Sequence, residues 1–338
     1  MIAIHKTKGS FSERWIDYCD NNGISYKIVD CYKNDIISQL EGCSALMWHH
    51  NHMITKDIVF ANQLLFALEH SGMVVFPDFK TNWHFDDKLG QKYLLEKLNC
   101  SLVNTYVFYD KNEALEWART IQFPKVFKLR SGGGSWNVVL VKSKNEANKI
   151  IQRAFGCGFS QYNPLSNQKE RWRKFKLGKL SFLQYLKGFY RFFVKPDYAL
   201  TMGNERGYVL FQDFIANNDS DIRVVVIEDK AFAIKRMNRK NDFRASGSGD
   251  IFYEKKHFDD KVIQLAFDLT SKVKGQSIAI DFVFDNGNPK VVEICFGFVP
   301  GGYDKCEGFW DNKLIWHNEQ FNPYGWMVDN VIKKIETR

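Results

Sequence analysis

The pattern of apolar residues changes once along the chain, and this change constrains the fold more than any other feature of the sequence. Up to about residue 80, short apolar segments that favour strands alternate with longer segments of helical periodicity. The predicted strands are 1–5, 26–29, 44–48 and 74–76, and the predicted helices begin at Ser12, Ile36 and Thr55. Such alternation is typical of a parallel α/β sheet covered by helices.

After Pro124 the predicted strands follow one another through short turns instead. The first two, 125–129 and 138–141, flank a glycine loop and predict a hairpin. Further strands are predicted at 208–211, 221–227, 231–236, 277–284 and 290–294, and further helices at 85–98, 147–155 and 261–273. We therefore expect an α+β second half that contains an antiparallel sheet.

The length and composition fit a globular protein of two or three domains. The chain has 338 residues, of which 45% are hydrophobic and 25% charged. No apolar run approaches the roughly 18 residues that a membrane-spanning helix needs, and the start lacks a signal-peptide pattern, so we expect a cytoplasmic protein. The seven cysteines include no CxxC pair, which favours reduced thiols.

The net charge of +8 is concentrated in one segment. Between Lys169 and Lys195 there are nine basic residues and one acidic residue, which equals the whole surplus of the chain. A general nucleic-acid-binding surface is therefore not expected. The same segment is rich in Phe, Tyr and Trp. Two interpretations stay open: contact with a polyanion, a glycolipid or a membrane surface, or a lid that packs its aromatic residues on the core.

A lysine at the end of a predicted strand leads into a glycine-rich loop. The segment consists of Lys128, Ser131, Gly132, Gly133, Gly134 and Ser135. Such a loop lets backbone amides approach a phosphate, and the lysine adds a positive charge. It connects two strands and lacks the P-loop spacing. A flexible hairpin tip is the alternative.

Two later segments carry polar side chains that suit a nucleotide and an anionic intermediate. Gln212 and Asp213 end an apolar strand shortly before Ile215, as expected of a hinge that holds a purine. A cluster of cations follows, made up of Arg223, Lys235, Arg236 and Arg244. A site where an acyl phosphate forms needs several cations, although a solvated basic face is the alternative.

Two carboxylates lie within apolar strands near the end of the pattern. Asp281 and Glu293 are flanked by branched and aromatic residues, and the turn 285–288 joins their strands. A carboxylate in such surroundings is costly unless it is paired or bound to a metal. Carboxylates with open positions suit Mg²⁺, which also takes phosphate ligands. A pair of edge residues that face solvent is the alternative.

The order of these segments resembles the ATP-grasp superfamily, especially the branch of the ribosomal-protein glutamate ligase and related carboxylate–amine and peptide ligases. The family string reads approximately QEFI, DIR, KR, DFRAN, D and EVN. This chain has QDFI at 212–215, DIR at 221–223, KR at 235–236, DFRAS at 242–246, then Asp281 and Glu293. Lys88 lies in a DDKLG segment similar to the family's entry to the linker helix. The resemblance covers about residues 80 to 298.

The resemblance implies an ATP-grasp fold, with an N-terminal parallel α/β domain and two α+β subdomains gripping ATP. The expected N-terminal domain is 1–80, and the linker helix with its connecting segment is 81–125. The central subdomain would be 126–215, with the basic aromatic insertion near 160–200. The C-terminal subdomain with the metal site would be 216–338.

The resemblance also implies a role for each matching residue. Lys88 and Lys128 would contact the ATP phosphates, and the loop 131–135 would cover the β- and γ-phosphates. The adenine would be held by Gln212, Asp213 and Ile215, and the ribose by Asp221. The γ-phosphate and the substrate carboxylate would be faced by Arg223, Lys235, Arg236 and Arg244. One or two Mg²⁺, with Mn²⁺ as the alternative ion, would be carried by Asp281 and Glu293.

Two features depart from the family pattern or lie outside it. The family has Asn two residues after the metal-binding Glu, whereas this chain has Cys295, and a neutral thiol is a poor ligand for a hard cation. Separately, His49, His50 and His52 follow a predicted strand of the first domain. Because ligands bind at the carboxyl ends of strands in open α/β sheets, they are candidates for substrate binding, and a metal site is the less favoured alternative.

We therefore expect an ATP- and Mg²⁺-dependent carboxylate–amine ligase that forms a C–N bond through an acyl phosphate. Its carboxylate and amine partners are expected to be an anionic sugar or peptide of a surface polysaccharide or small-molecule pathway. A peripheral position at the inner face of the membrane and a homodimer are left open. Two alternatives also stay open: a nucleotide-binding regulatory or scaffold protein that has lost catalysis, and an ATP-grasp kinase of a small molecule.

Overall fold

The structure of the protein is a computed structural model, and it describes residues 1–132, 137–176, 178, 180–239, 242–245 and 248–337. The chain divides into two compact units. Unit 1 consists of Met1–Phe85, Tyr93–Leu102 and Ile215–Arg338. Unit 2 consists of Asp86–Lys92 and Val103–Phe214.

The strands and helices of the described residues are as follows. The strands are β1 (Ile2–His5), β2 (Tyr26–Val29), β3 (Ala45–Met47), β4 (Val74–Phe76), β5 (Thr105–Phe108), β6 (Lys125–Lys128), β7 (Val139–Val141), β8 (Phe159–Ser160), β9 (Asn204–Glu205), β10 (Val209–Asp213), β11 (Ser220–Ile227), β12 (Lys230–Met237), β13 (Ile251–Phe252), β14 (Ser277–Asp285), β15 (Asn288–Cys295), β16 (Phe309–Asp311) and β17 (Trp316–His317). The helices are α1 (Phe11–Asn22), α2 (Ile36–Gln39), α3 (Thr55–His70), α4 (Phe79–Asn82), α5 (Lys88–Lys97), α6 (Lys111–Thr120), α7 (Lys144–Ala154), α8 (Pro164–Lys176), α9 (Phe182–Leu186), α10 (Asp197–Met202), α11 (Asp260–Val273) and α12 (Pro323–Glu336). Short 3-10 helices lie at Phe189–Phe192 and Lys255–His257.

The first four strands form a parallel sheet in the order β2-β1-β3-β4, which confirms the predicted parallel α/β architecture. Alternate side chains of a strand face opposite sides. Ile2 and Ile4 therefore pack towards α1 and α12, while Ala3 packs towards α3. Helix α1 begins where the Ser10 side chain accepts a backbone hydrogen bond of 3.1 Å, and it ends at Gly23 in the left-handed conformation.

The predicted antiparallel sheet is also present in unit 1. Its strands run in the order β15-β14-β11-β12-β16-β17, and β13 pairs with β12. Val225 and Ile227 of β11 pack in the cluster that contains α1 and α12, whereas Val224 and Val226 pack against α11. Both faces of this strand are buried, and each such side chain contributes roughly 1.5–3 kcal/mol. The central strands therefore hold rigid positions for any polar residue near their ends.

Unit 2 is built on a second antiparallel sheet, β5-β10-β6-β7. Phe127 and Phe211 of this sheet pack with Ala114 of α6 and Ile151 of α7. A short ribbon, β8 with β9, lies beside it. Gly158 just before β8 has a φ of +73°, and a Cβ there would lie 2.5 Å from a backbone oxygen of β9. Glycine therefore permits the close approach of the two strands.

Several helices were not predicted from the sequence. They include α6, the C-terminal α12 and the helices α8 to α10 within the basic aromatic segment. The helix predicted at 85–98 begins three residues later, at Lys88. Within the described residues, no helix combines the length and the apolar character needed to cross a membrane.

Candidate functional site

Three adjacent strands of unit 1 hold an ion-pair network. Strand pairing places Arg223 of β11 opposite Asp281 of β14, and Asp221 of β11 opposite Arg236 of β12. Arg223 donates from Nε and Nη2 to the two carboxylate oxygens of Asp281, at 2.5 and 2.6 Å. Arg236 donates likewise to Asp221, at 2.7 and 2.6 Å, and its Nη2 lies 3.1 Å from Asp281 Oδ1. Two positive groups thus balance two negative groups.

Burial and the guanidinium groups act in opposite directions on these carboxyl groups. Burial alone would raise the pKa of Asp281, but the adjacent Arg223 and Arg236 outweigh it and hold that pKa well below its usual range. Burial raises the pKa of Asp221 in spite of its contact with Arg236. Burial also raises the pKa of the Tyr303 hydroxyl, which Arg223 contacts, to about 12. Near neutral pH, Asp281 is therefore an anion and Tyr303 a neutral phenol.

Strand pairing also brings the two predicted metal ligands together. Glu293 of β15 lies opposite Asp281, immediately before a register shift in this pair of strands. Cys295, two residues further on, lies opposite Ala279, and its sulfur accepts a 3.4 Å hydrogen bond from the Gly297 amide. The thiol is thus engaged with the backbone that follows β15.

The donor atoms at this place fit Mg²⁺, which proteins usually hold through one or two carboxylates together with phosphate oxygens. Both oxygens of Asp281 already accept hydrogen bonds from Arg223. Asp281 and the facing Glu293 are the two candidate ligands. Among the described residues, no group of three or more His, Cys, Asp and Glu side chains is placed to hold a metal, so phosphates would have to supply further ligands.

The other two predicted cations have different surroundings. Lys235 alternates with Arg236 along β12 and pairs with Ile222, so its side chain belongs to the opposite face of the sheet. Arg244 forms an ion pair with Asp242, with Nη2 at 2.5 Å from Oδ2. The structure thus brings Arg223 and Arg236 together, places Lys235 on the opposite face of the sheet, and pairs Arg244 with Asp242.

The nucleotide residues predicted in unit 2 are arranged along β6 and β10. Lys128 donates from Nζ to Gln212 Oε1 at 2.6 Å, and both side chains are buried. Lys125 forms an ion pair of 2.5 Å with Asp213. Ile215 follows β10 and belongs to unit 1. A charge-assisted hydrogen bond thus fixes the side chain of Lys128 against the strand that carries the predicted purine-binding residues.

The start of the glycine loop is tied down by two sets of hydrogen bonds. Lys88 donates to the Gly132 carbonyl at 3.0 Å, and Asp86 accepts from the Gly132 amide at 2.7 Å. The other set centres on Glu205, which accepts hydrogen bonds from the Ser131 hydroxyl and, at 3.0 Å, from the Arg130 amide. The predicted loop residues Gly133, Gly134 and Ser135 lie outside the described residues.

Sequence reasoning missed the group that holds Ser131. Glu205 also accepts hydrogen bonds from the Tyr208 hydroxyl and from Gln161 Nε2, the latter at 3.1 Å. Gln161 Nε2 in addition donates to Ser131 Oγ. Burial, followed by the charge of Glu205, raises the pKa of Tyr208 well above its usual range. No sequence signal links these residues, because Ser131 and Glu205 are 74 positions apart.

Replacing Glu205 by glutamine is expected to weaken ATP binding about tenfold, the scale of losing one or two hydrogen bonds to a charged acceptor. The amide keeps the size of the side chain but offers one acceptor oxygen where the carboxylate serves several donors. Titration with a fluorescent ATP analogue measures the effect. Glu116→Gln, at an exposed helical position, is the matched control. Unchanged nucleotide affinity with a lowered melting temperature would assign Glu205 a purely structural role.

The histidines after β3 are packed rather than clustered around a common point. His49 accepts a 3.0 Å hydrogen bond from the Phe11 amide, and its ring stacks on Phe11 with centroids 3.7 Å apart. His50 contacts Asn82 Oδ1 at 2.8 Å, and His52 lies against Phe85. This packing gives no support to a metal site and leaves substrate binding by these histidines a proposal.

The half-buried His49 and the buried His50 predict a pH dependence of the free energy of unfolding. Burial lowers the pKa of His49 to about 3 and that of His50 to about 4. Since the unfolded chain takes up these protons near pH 6.5, stability is full above about pH 6.5 and is lost as pH falls towards the folded values. Each histidine contributes a slope of about 1.4 kcal/mol per pH unit in this window.

Urea unfolding between about pH 7 and about pH 5 measures this slope. His50→Gln keeps a group that can bond Asn82 and is expected to remove one histidine's share of it. His70→Gln, at an exposed position, controls for the loss of an imidazole. A free energy of unfolding that does not change over this interval would contradict the prediction.

Comparison with known proteins identifies the fold and one sequence family. A family described as the RimK-like ATP-grasp domain matches residues 195–298. Alpha-aminoadipate–LysW ligase LysX of Saccharolobus solfataricus is 23% identical over 274 residues, which cover 80% of this chain and 82% of that protein. The ion-pair network of Arg223, Arg236, Asp221 and Asp281 lies within the segment that this family matches. The facing carboxylate Glu293 lies within it too.

Two solved structures show the same architecture along nearly the whole chain. The RimK domain ATP-grasp protein of Sphaerobacter thermophilus has a TM-score of 0.55 and 14% identity, and the match covers 98% of this chain and 99% of that one. The ATP-grasp ligase PsnB, solved with its minimal precursor, Mg and ADP, has a TM-score of 0.55 and 11% identity, with 99% and 98% covered. At these identities the likeness establishes the ATP-grasp fold.

Proposed function

Because this chain belongs to the ATP-grasp superfamily and its residues 195–298 match the RimK-like domain, we propose that it is an ATP-dependent carboxylate–amine ligase. The observation that carries the proposal is the balanced Arg223, Arg236, Asp221 and Asp281 network with Glu293 beside it. Preorganised cations next to oxygen ligands suit the transfer of a phosphoryl group to a carboxylate.

The reaction would proceed in two balanced steps. An oxygen of the substrate carboxylate attacks the γ-phosphorus of ATP, the bond to the β-phosphate oxygen breaks, and ADP leaves. The amine then attacks the acyl carbon, inorganic phosphate leaves with the bonding electron pair, and the nitrogen loses one proton. The protein supplies position and charge rather than a nucleophile.

The nucleotide roles are assigned as follows. Lys88 and Lys128 would contact the phosphates, and the loop 131–135 would cover them. The adenine would be held by Gln212, Asp213 and Ile215, and the ribose by Asp221. The transferred phosphoryl group and the carboxylate would be faced by Arg223, Lys235, Arg236 and Arg244. Lys235 is the weakest of these assignments, because its face of the sheet is the opposite one.

Mg²⁺, when bound, would neutralise the phosphate oxygens. Glu293 would hold it, and Asp281 would join on giving up a contact with Arg223. Hard oxygen ligands favour one or two Mg²⁺, with Mn²⁺ as the alternative ion. Cys295 adds no suitable ligand.

The substrates are proposed by class. LysX is named as a ligase of alpha-aminoadipate and LysW, and PsnB was solved with its minimal precursor. A peptide carboxylate is one option for this chain. An anionic sugar of a surface polysaccharide is the other. We also propose a cytoplasmic location and leave a homodimer as a further proposal.

A substrate panel tests the proposal. The protein with Mg²⁺ and ATP is incubated with amino acids, uronic acids and short peptides, singly and in pairs, and ADP and products are followed by mass spectrometry. The expected result is ADP release that requires both partners and a product equal to their sum less one water. A phosphorylated product without an amine would indicate the kinase alternative, and nucleotide binding without ADP release would indicate the scaffold alternative.

A further inference from the structure

Helix α8, helix α9 and the 3-10 helix Phe189–Phe192 of unit 2 form a compact element that the ligase chemistry does not use. Their aromatic side chains pack on one another, with ring centroids of Trp172 and Tyr185 5.2 Å apart. Gly188 approaches α8 so closely that a Cβ would lie 2.6 Å from Arg171 Cδ. The element therefore has an internal packing of its own.

Many apolar side chains of this element lie in solvent. Phe193 is 89% exposed and Leu183 is 71% exposed. Other exposed apolar residues include Leu165, Trp172, Phe182, Leu186, Tyr190 and Val194. None of the described apolar residues between 164 and 194 belongs to the buried clusters of either unit. The described residues therefore do not form a lid that packs its aromatic side chains on the core. So many exposed apolar residues in one segment indicate a contact surface.

The net positive charge of the protein is concentrated in the same segment. The segment 169–195 contains nine basic residues and one acidic residue. Among the described residues of this segment, the exposed lysines are Lys169, Lys174, Lys176, Lys187 and Lys195. We call the exposed side chains of residues 164–176 and 180–200 the basic apolar surface.

We propose that the basic apolar surface binds the anionic face of a lipid bilayer. Phe, Trp and Leu side chains enter the boundary between headgroups and acyl chains, while lysines remain among the lipid phosphates. The positive charge of the segment is complementary to the negative charge of anionic lipid headgroups. The exposed aliphatic side chains would be removed from water in the apolar part of the bilayer. The enzyme would thus work next to a membrane on which its acceptor can be concentrated.

Two other partners fit the surface less well. Nucleic acids bind exposed aromatic rings by stacking, but Leu183, Leu186 and Val194 have no planar group for this. A second copy of the chain would place one strongly basic surface against another, and like charges across an interface are unfavourable. Both remain outcomes of the test.

Vesicle flotation with the full chain tests the proposal. Vesicles of phosphatidylcholine alone are compared with vesicles that also contain phosphatidylglycerol. Binding is expected with the anionic vesicles and should fall with added salt. Lys174→Gln with Lys176→Gln should weaken partitioning about 25-fold, about fivefold for each lysine. The control is Lys144→Gln with Lys149→Gln, on an exposed face of α7.

A second pair of variants tests the apolar contribution. Leu183→Ser with Phe193→Ser is expected to reduce partitioning about tenfold for each residue. Ile37→Ser with Ile315→Ser, at exposed apolar positions of unit 1, is the control. Retained binding of a fluorescent ATP analogue shows that each variant is folded.

Three results would overturn the proposal. They are no binding to anionic vesicles, equal binding to vesicles of phosphatidylcholine alone, and nucleic-acid binding in place of vesicle binding. Self-association that Phe193→Ser abolishes, without vesicle binding, would assign the surface to a second copy instead.

Discussion

Replacing Glu293 by alanine is expected to reduce ADP formation by about 10²–10³-fold, the scale of losing one group that stabilises charge in a transition state. Glu293 lies opposite Asp281, whose own oxygens are engaged by Arg223. It is therefore one of the two carboxylates on which metal binding would depend. Nucleotide binding should survive in part, because Lys88 and Lys128 are unchanged.

The dependence on Mg²⁺ separates this role from a structural one. Glu293→Gln keeps the shape of the side chain, so its activity is expected to require a higher Mg²⁺ concentration while its melting temperature stays near that of the unmodified protein. Glu319→Ala, at an exposed position, is the control. Full turnover of Glu293→Ala with an unchanged Mg²⁺ requirement would show that another residue carries the metal.

Replacing Arg223 by methionine is expected to destabilise the protein by at most about 3–5 kcal/mol, the cost of removing one partner from a fully buried ion pair, because this pair is half-buried. The change leaves one arginine beside two carboxylates, since Arg236 is the remaining cation of the network. It also removes a charge that holds the pKa of Asp281 low. Urea unfolding measures the free-energy change.

A double variant shows whether charge balance is the cause. Arg223→Met combined with Asp281→Leu restores one positive and one negative group, so it should cost clearly less than the sum of the two single changes. ADP formation should nevertheless be lost in the double variant as well as in each single variant. Additive losses of stability would contradict the account of the network, and retained ADP formation would remove Arg223 and Asp281 from the reaction.

Much of the fold was predictable because periodicity and burial agree. The alternating strands and helices of the first 80 residues produce the parallel sheet, and the turn at 285–288 joins the strands that bring Asp281 and Glu293 face to face. The sequence also contained signals for two helices that were missed. Asp110 caps α6 by accepting two backbone hydrogen bonds, and Asn322 followed by Pro323 begins α12.

The site was less predictable than the fold, for reasons of spatial arrangement. Neighbouring positions on a strand face opposite sides, so Lys235 and Arg236 separate although they are adjacent in sequence. The ion pair of Asp281 with Arg223 depends on the register between β11 and β14, which no local pattern of the sequence shows. Glu205 and Gln161 reach Ser131 only through the pairing of β8 with β9.

The most direct test of the central claim follows an oxygen atom. A carboxylate that supports ADP formation is labelled with ¹⁸O in its carboxyl group, and the inorganic phosphate released with its amine partner is examined by mass spectrometry. Because the carboxylate oxygen attacks the γ-phosphorus and leaves with the phosphate, one labelled oxygen is expected in each phosphate. Unlabelled phosphate, with all of the label retained in the product, would contradict an acyl phosphate and with it the proposed ligase mechanism.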